Sequence, residues 1–383
     1  MARNETMTNK ERLACALAGE KPDRIPVAPQ VCMAAALGLS GYTQAQGHAD
    51  YTIVQKALLK TFDDFGGWDG LYLAGPEPIV EQQFLTMQPL IWLEPGKDLA
   101  ENDIQQTREE EIIKFADYER IIEDGWMNFY MNELPGRIAD KTPQQVQKEL
   151  ADLEAYMVGT CLPDWQARGV EPIVWDALPH PFFSLSLGRS LIKFTEDLYY
   201  QPEILEKVLP VINREVIERL VNTVEETGCK AILIGEERCS GFYYPMEIFE
   251  KYWWPYTVEI VDAMWSRGVV TVFHLDTDFG KNLPYWKQLP KGSYVLQLDS
   301  TTDIFAAKQA LGNHAMFWGD VPPAMQAIGT PEEIEAYVKK LIDEVGYEGG
   351  YILGVGCNVV PNCKPENFRA MIETGKNYEL LNK

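Results

Sequence analysis

Eight short apolar runs, each rich in β-branched or aromatic residues and each ending in a polar or turn-forming residue, alternate with helical patterns along the chain. Near-continuous apolar strands separated by helices indicate a parallel sheet that is covered on both faces. Eight such units favour a (β/α)8 TIM-type barrel of the α/β class. The runs are Arg24–Gln30, Gly70–Gly75, Pro172–Pro179, Ala231–Glu237, Val269–Asp276, Tyr294–Asp299, Ala315–Pro322 and Tyr351–Cys357.

The main alternative for this pattern is an open, doubly wound sheet, which often binds nucleotides at glycine-rich loops. Neither G-x-G-x-x-G nor G-x-x-x-x-G-K-[ST] occurs, so we favour the barrel, formed as one domain over residues 1–383. The acidic stretch Pro76–Gly159, between the second and third predicted strands, is expected to form an irregular helical excursion that could act as a lid. Pro245–Gly268 is predicted to be one amphipathic helix, and Thr330 is predicted to cap a helix that ends at Gly346.

The formal net charge of −23 and the sequence pI near 4.6 make the chain strongly acidic. Such a charge repels nucleic-acid backbones and anionic membranes, so we expect neither as a partner. No apolar stretch approaches the roughly 20 residues of a membrane helix, and the opening MARNETMTNKERL lacks the apolar core of a secretory signal. Seven cysteines, an odd number without a C-x-x-C pair, fit reduced thiols. We therefore expect a cytoplasmic protein.

Polar side chains stand at the carboxyl ends of six of the predicted strands. In (β/α)8 barrels these ends form the mouth where active sites lie, so residues far apart in sequence are expected to meet there. The candidates are Gln30, Glu236, Glu237, His274, Asp276, Asp278, Gln297, Asp299, Asp320, Cys357 and Asn358.

His274, Asp276 and Cys357 are the candidates whose chemistry indicates a metal. Neutral imidazole, thiolate and carboxylate are the ligands that zinc takes in proteins, whereas magnesium and calcium prefer oxygen ligands. Side chains two residues apart on a strand share a face, so His274 and Asp276 can both face the mouth, and only one of Glu236 and Glu237 can do so. The alternative, a hydrogen-bonded core histidine at position 274, stays open on these residues alone.

The other candidates carry weaker signals. His180 lies between prolines after the third predicted strand, where it either lines the pocket or stiffens a turn. His314 precedes the seventh strand, at the opposite end of the barrel, and is predicted to be structural. Trp253, Trp254 and Tyr256, at helical spacing, are predicted to pack in the core. No serine stands in the G-x-S-x-G elbow of many hydrolases.

Four long segments of the chain are similar to segments of one known family. They are MTNKERLACALAGEKPDRIPV near the start, YPMEIFEKYWWPY after the fourth predicted strand, and GDVPPAMQAIGTPEEIEAYVKKLI and GCNVVPNCKPENFRAMIE in the last two units. Through them the chain resembles the uroporphyrinogen decarboxylase superfamily over nearly all of its length.

The residues after the first strand separate two branches of that superfamily. The decarboxylases carry an arginine-rich M-R-Q-A-G-R element there, which holds the carboxylates of the porphyrinogen. The matching stretch here, Ala28–Tyr42, has no arginine, and a chain this acidic suits a substrate with many carboxylates poorly. The resemblance therefore favours the other branch, the corrinoid-dependent methyltransferases.

Members of that branch that act on coenzyme M hold zinc with His-x-Cys after strand 5 and a cysteine after strand 8. His274 and Cys357 fit this pattern, but Asp276 takes the place of the middle cysteine, which argues against coenzyme M as the acceptor. HLDTDFGKNLPYWKQLPKG and DIFAAKQALG look more like the methyl-ether-cleaving members, the methyltransferase components of O-demethylases. The resemblance implies that His274, Cys357 and Glu237 bind zinc, with Asp276 as a fourth ligand or as a group that orients a ligand.

The implied reaction moves a methyl group from a small methyl donor, with an aryl methyl ether as the favoured donor, to the Co(I) corrinoid of a separate partner protein. Asp299 and Asp320 would orient the substrate or the ligands, or else cap the loops after their strands. The alternatives are transfer from a methylcorrinoid to tetrahydrofolate or a thiol, a decarboxylase, and a barrel that binds without catalysis. The sequence leaves open the methyl donor, the direction of transfer, the choice between Glu236 and Glu237, and the oligomeric state.

Overall fold

The computed structural model describes residues 5–72, 75–76 and 83–379. Its central element is a six-stranded parallel sheet, β3 to β8, in which each strand pairs with the next one along the chain. A separate antiparallel hairpin is formed by β1 and β2. The strands are Ile91–Leu93 (β1), Gln106–Arg108 (β2), Ala177–Pro179 (β3), Ala231–Glu236 (β4), Val270–Leu275 (β5), Tyr294–Leu298 (β6), Met316–Val321 (β7) and Tyr351–Val355 (β8).

Two segments that make single bridges close this sheet into a barrel. Val27 bridges Leu353 of β8, and Leu71 bridges Pro172, shortly before β3. A hydrogen bond from the N–H of Asp69 to the carbonyl of Val27 (2.7 Å) joins the two segments to each other. The predicted (β/α)8 TIM-type barrel is therefore confirmed.

The first two predicted strands are less regular than their sequences suggest. Pro26 and Pro29 flank Val27, and proline has no N–H to donate to a ladder, which limits the pairing of this segment to a single bridge. Residues 73–74 of the second predicted strand lie outside the described part of the chain.

Apolar side chains fill the lower part of the barrel interior. Leu233 of β4, Val272 of β5 and Val295 of β6 belong to this inner cluster. Because side chains two residues apart on a strand share a face, His274 and Gln297 also face the interior. The polar residues at the strand ends therefore stand above an apolar plug, at the mouth of the barrel.

Helices that alternate with the barrel strands form the outer layer. Within the described ranges, none of the helices is both long enough and apolar enough to cross a bilayer. Their bounds are Asn9–Leu17, Met33–Ser40, Gln44–Ala49, Tyr51–Asp64, Pro181–Arg189, Leu191–Tyr200, Pro202–Thr227, Met246–Tyr252, Trp254–Trp265, Ile304–Leu311, Pro323–Ile328, Pro331–Glu344 and Pro365–Asn377, with 3-10 turns at Gly280–Gln288 and Gly312–His314.

The segment Pro245–Gly268 forms two helices, so the prediction of a single helix is wrong. The break falls at Trp253 (φ −122°, ψ −54°), and Pro255 lies in the first turn of the second helix. Proline cannot donate a hydrogen bond to the preceding turn, and its ring clashes with that turn, so a continuous helix is broken there. The predicted cap at Thr330 is confirmed, because its side chain and that of Glu333 form a capping box.

The predicted excursion precedes β3 and is irregular and helical, with residues 77–82 outside the described part. The guanidinium of Arg189 anchors it to the outer layer by donating to the carbonyl of Ile113 (2.9 Å) and to Oδ2 of Asp197 (2.7 Å). Besides the β1–β2 hairpin it contains helices Asp117–Asp124, Trp126–Glu133, Pro135–Ile138 and Pro143–Tyr156. The π-helical turn Met157–Cys161 spans its end, and helix Leu162–Gln166 follows it before β3.

A buried ion network joins the first helix to the two closing segments. Asp69, 1% exposed, accepts hydrogen bonds from Arg24 Nη1 (2.7 Å), Arg12 Nη1 (2.8 Å) and the N–H of Val27 (2.7 Å). Arg12 is itself fully buried and donates from Nε to Asp23 (2.7 Å). Asp69 is thus the buried carboxylate that both guanidinium groups share at the place where the barrel closes, and Asp23 and Glu5 supply the remaining negative charge.

Replacing Asp69 by asparagine is expected to lower the free energy of unfolding by about 3–5 kcal/mol, because two buried guanidinium groups lose their shared counter-ion. Urea unfolding followed by circular dichroism measures the change. Lys148→Ala, which removes an exposed ion pair with Asp152, is the control and should leave stability unchanged. Equal midpoints for the two variants would contradict a role for the network in closing the barrel.

Candidate metal centre at the barrel mouth

His274 and Asp276, at the end of β5, meet Cys357 from the turn after β8. One potential ligand atom from each residue lies within 4.8 Å of the other two, and all three side chains are partly buried. Nε2 of His274 is 3.4 Å from Oδ1 of Asp276, and Sγ of Cys357 donates to Oδ2 of Asp276 at 3.4 Å. Residues 81 positions apart in the chain therefore form one compact cluster.

Turns with left-handed backbone geometry bring these side chains to the mouth. Thr277 has φ 94° and Cys357 has φ 66°, a region that residues with a side chain rarely adopt. The first turn is held by hydrogen bonds from the Thr277 N–H to Oδ2 of Asp299 (3.0 Å) and from its hydroxyl to the carbonyl of Glu237 (3.2 Å). A Cβ at Gly356 would lie 2.8 Å from the Asp299 backbone, so only glycine lets the turn after β8 approach the end of β6. Strain of this kind collects at functional sites.

Three neighbours of the cluster have no role assigned from the sequence. Oε1 of Gln297 lies 2.6 Å from Nδ1 of His274, and the Asn358 side-chain amide donates to Sγ of Cys357 at 3.6 Å. The ring of Tyr72 lies 6.2 Å from the imidazole. The sequence alone does not show that Gln297 contacts His274, because the contact depends on the register of β5 and β6, in which the two residues are paired.

Glu236 faces the helical layer and is fully buried. Its Oε1 accepts hydrogen bonds from the N–H groups of Glu237 (2.9 Å) and Arg238 (2.6 Å), and its Oε2 accepts one from Nε1 of Trp253 (2.9 Å). Burial outweighs these bonds and raises the pKa of Glu236 to about 8. Glu236 therefore supports the wall of the barrel and the backbone of the residue that follows it.

Glu237 occupies the same face of the strand as Leu233, so its side chain is directed to the barrel interior. Burial and repulsion by Asp276 raise the pKa of Glu237 to about 7, against the opposing effects of His274 and Arg238. The described residues whose ligand atoms lie within 4.8 Å of one another do not include Glu237. Its carboxylate therefore neighbours the cluster, and its assignment as a ligand stays a prediction.

Asp299 and Asp320 lie outside the three-residue cluster. Oδ2 of Asp299 accepts from the N–H of Thr277, and Oδ1 accepts from the N–H of Thr301 (2.9 Å) and from the Thr301 hydroxyl. These bonds favour the loop-capping alternative for Asp299. Asp320 is buried and accepts from the hydroxyl of Tyr337 (2.9 Å), and burial raises its pKa to about 8.

The electrostatics of the cluster favour a bound cation. Burial opposes a charge on His274, yet the hydroxyl of Tyr72 and the carboxylate of Asp276 raise the pKa of the imidazole well above its usual value. Burial raises the pKa of Asp276, but its interaction with His274 outweighs this and lowers it overall. Oδ1 of Asp276 is buried and makes no hydrogen bond. A divalent cation would satisfy that oxygen, and imidazole nitrogen, thiolate and carboxylate together are a donor set that fits zinc.

Two other histidines lie in the packed body of the protein. His180 is fully buried, accepts from the N–H of Phe182 at Nδ1 (3.2 Å) and packs on Trp253 with ring centres 4.8 Å apart. Its position matches the turn-stiffening alternative. Nε2 of His314 donates to the carbonyl of Leu289 (2.8 Å), a structural contact below the mouth.

Purified protein is expected to carry about one zinc ion per chain, in keeping with a mononuclear site. His274→Ala and Cys357→Ser should each lose most of that zinc, because each removes one candidate ligand. Elemental analysis after exhaustive dialysis is the measurement, with His314→Gln as a histidine control that keeps its metal. Full zinc occupancy in both site variants would contradict the assignment.

Glu236→Gln and Glu237→Gln should separate the two adjacent acids. Glu237→Gln is expected to weaken zinc binding by about tenfold or more, because it removes a carboxylate beside the cluster. Glu236→Gln should leave zinc affinity unchanged, because that side chain is directed to the helical layer. Competition with a chromophoric chelator gives both affinities, and the reverse order would assign the ligand to Glu236.

Comparisons with known proteins place the chain among relatives of two named activities. It is 35% identical to methylcobamide:CoM methyltransferase MtbA of Methanosarcina mazei over 156 residues, 40% of this chain and 43% of that protein. It is 29% identical to the uroporphyrinogen decarboxylase of Geotalea daltonii over 176 residues, 46% of this chain and 50% of that protein. The chain thus spans about half the length of these curated relatives.

The fold has a solved counterpart in a methyltransferase from Methanosarcina mazei. That structure superposes with a TM-score of 0.66 at 18% sequence identity, and the match covers 96% of this chain and 98% of the other. At this identity the likeness concerns the fold alone. The family described as uroporphyrinogen decarboxylase (URO-D) matches residues 187–378, a range that contains His274, Asp276 and Cys357. As its sequence motifs predict, the chain belongs to the uroporphyrinogen decarboxylase (URO-D) family.

Proposed function

We propose that the chain is a zinc-dependent methyltransferase that moves a methyl group from a small methyl donor, an aryl methyl ether, to the Co(I) corrinoid of a partner protein. The observation that carries this proposal is the cluster of His274, Asp276 and Cys357 at the barrel mouth. The relatives named as methylcobamide:CoM methyltransferases support the corrinoid-dependent branch of the family.

In this proposal His274, Asp276 and Cys357 hold the metal, with Glu237 contacting it from the β4 side. Zinc bound there supplies a Lewis acid for the ether oxygen, whose departure from the methyl group is otherwise difficult. Gln297 and Asn358 hold the imidazole and the thiol in place through the hydrogen bonds described above. Asp299 fixes the turn after β5, so that Asp276 keeps its position beside His274.

The charges around the mouth support a neutral methyl donor. Asp276, whose pKa is lowered, carries negative charge beside Cys357 and would repel an anionic substrate, whereas burial brings the neighbouring Glu237 closer to neutral. The segment Ala28–Tyr42, where a decarboxylase carries its carboxylate-binding arginines, instead forms a largely buried apolar helix. Both features speak against a porphyrinogen carboxylate and for an ether.

A second candidate is transfer of methyl from a methylcorrinoid to a carrier such as a thiol or tetrahydrofolate. The specific observation in its favour is the 35% identical relative whose name gives coenzyme M as the acceptor. The carboxylate at Asp276, where such enzymes place a second thiolate, favours the first candidate, because a zinc ion with fewer thiolate ligands is a stronger Lewis acid and activates thiols less well.

Zinc-loaded protein mixed with chemically reduced cob(I)alamin is expected to form methylcobalamin from an aryl methyl ether and not from methanol or methylamines. The cobalamin spectrum reports the reaction directly, and free cob(I)alamin stands in for the partner protein. His274→Ala and Cys357→Ser should lower the rate by about 100-fold or more, because the Lewis acid is lost.

Two outcomes would contradict this proposal. Demethylation of methylcobalamin by a thiol or by tetrahydrofolate, without any ether cleavage, would favour the second candidate. Release of CO2 from a porphyrinogen carboxylate by the metal-free protein would establish a decarboxylase instead.

A further inference from the structure

Gln297 stands beside His274 on the neighbouring strand, inside the barrel. The two residues are register partners of β5 and β6, and Gln297 is 1% exposed. Its Oε1 lies 2.6 Å from Nδ1 of His274. An amide oxygen can only accept a hydrogen bond, so Nδ1 carries the proton. In the neutral ring that a metal requires, the lone pair is then on Nε2, the atom that faces Asp276 at 3.4 Å.

If the Gln297 amide had the opposite orientation, His274 could not bind a metal through Nε2. The amide N–H would then point at Nδ1, the ring proton would move to Nε2, and Nε2 could no longer bind a cation. In the orientation present, Nε2 of Gln297 is buried and makes no hydrogen bond. Leaving this donor unpaired is unfavourable, and an apolar side chain would avoid the penalty at a purely structural position. The neighbouring interior residue of β6, Val295, is apolar.

The charge of the hydrogen-bond acceptor also matters. Histidine ligands are often oriented by a carboxylate, which increases the donor strength of the imidazole. Here the acceptor is a neutral amide, in a site that already gathers Asp276, Cys357 and Glu237. A carboxylate at position 297 would add negative charge beside the imidazole and weaken the pull of a bound cation on a substrate oxygen.

We propose that Gln297 is a positioning residue that presents Nε2 of His274 to the metal while adding no charge to the centre. The inference deepens the proposed function, since it concerns the same metal centre. If the amide is replaced by a carboxylate, the inference predicts that zinc affinity is kept while methyl transfer slows. A packing role alone would not separate the two properties in this way.

Three variants test the role of Gln297. Gln297→Met keeps the volume but removes the acceptor, and it should weaken zinc binding by about 10–100-fold. Gln297→Glu restores an acceptor, and it should bind zinc at least as tightly as the parent protein. Gln326→Met replaces another fully buried glutamine, whose amide contacts Met371 in the outer helical layer, and it should keep the parent affinity within about twofold. Chelator competition measures all three, with unfolding midpoints recorded in parallel.

Cobalt substitution and methyl transfer supply the other readouts. The visible absorption of Co(II)-loaded Gln297→Met should differ from that of the parent, because the imidazole is no longer held. Gln297→Glu should load with metal yet transfer methyl to cob(I)alamin about tenfold more slowly, because the added charge reduces Lewis acidity. This variant keeps the shape of the side chain and tests the inference even if Gln297→Met does not fold.

Parent-like zinc affinity and cobalt spectrum in Gln297→Met would overturn the inference, as would full methyl-transfer activity in Gln297→Glu. The binding measurements need no methyl donor. Weak zinc binding by Gln297→Met in a protein that cleaves no ether would therefore uphold the positioning role and reject the proposed reaction. Parent-like zinc binding by Gln297→Met, in a protein that does cleave ethers, would reject the positioning role and uphold the proposed reaction.

Discussion

The carboxylate of Asp69, buried between two guanidinium groups, holds together the part of the barrel that has the fewest strand contacts. Strands β3 to β8 form a continuous ladder, whereas the Val27 and Leu71 segments contribute single bridges. Without that closure β8 would become an edge strand, and the turn that carries Cys357 could move away from His274. By holding the segment that pairs with β8, the ion network supports the position of Cys357 without touching it.

Not all of the acidic side chains near the mouth keep their negative charge near neutral pH. Burial raises the pKa of Glu237 to about 7 and that of Asp320 to about 8, so that both gain protons readily near neutral pH. The pKa of Asp276 is lowered instead, by its interaction with His274. Negative charge is thus concentrated beside the imidazole and the thiol, and the rest of the rim stays closer to neutral. This distribution suits a single cation and an uncharged substrate.

The sequence predicts the meeting of His274, Asp276 and Cys357 because parallel strands place all their carboxyl ends at one mouth and alternate residues on one face. It does not decide between Glu236 and Glu237. Both faces of β4 carry buried apolar side chains, so no alternation of polar and apolar residues shows which face is directed to the interior. The ion network around the closing segments also leaves no local pattern, because its partners lie 45 and 57 positions apart. Hydrogen bonds such as that of Gln297 depend on register, which only the folded sheet defines.

Three consecutive residues at the end of β4 contact three different layers of the molecule. Glu236 is bonded to Trp253 in the helical wall, Glu237 faces the interior, and Nη1 of Arg238 donates to Oε1 of Glu109 in the excursion (2.9 Å). A single peptide link therefore separates Arg238, which is bonded to the excursion, from Glu237, the acid beside the cluster. A displacement of Glu109 that preserved this hydrogen bond would reach the backbone of Glu237, because Arg238 follows it directly while Glu236 is held in the helical wall. The end of β4 thus ties the position of the excursion to the placement of a carboxylate inside the barrel.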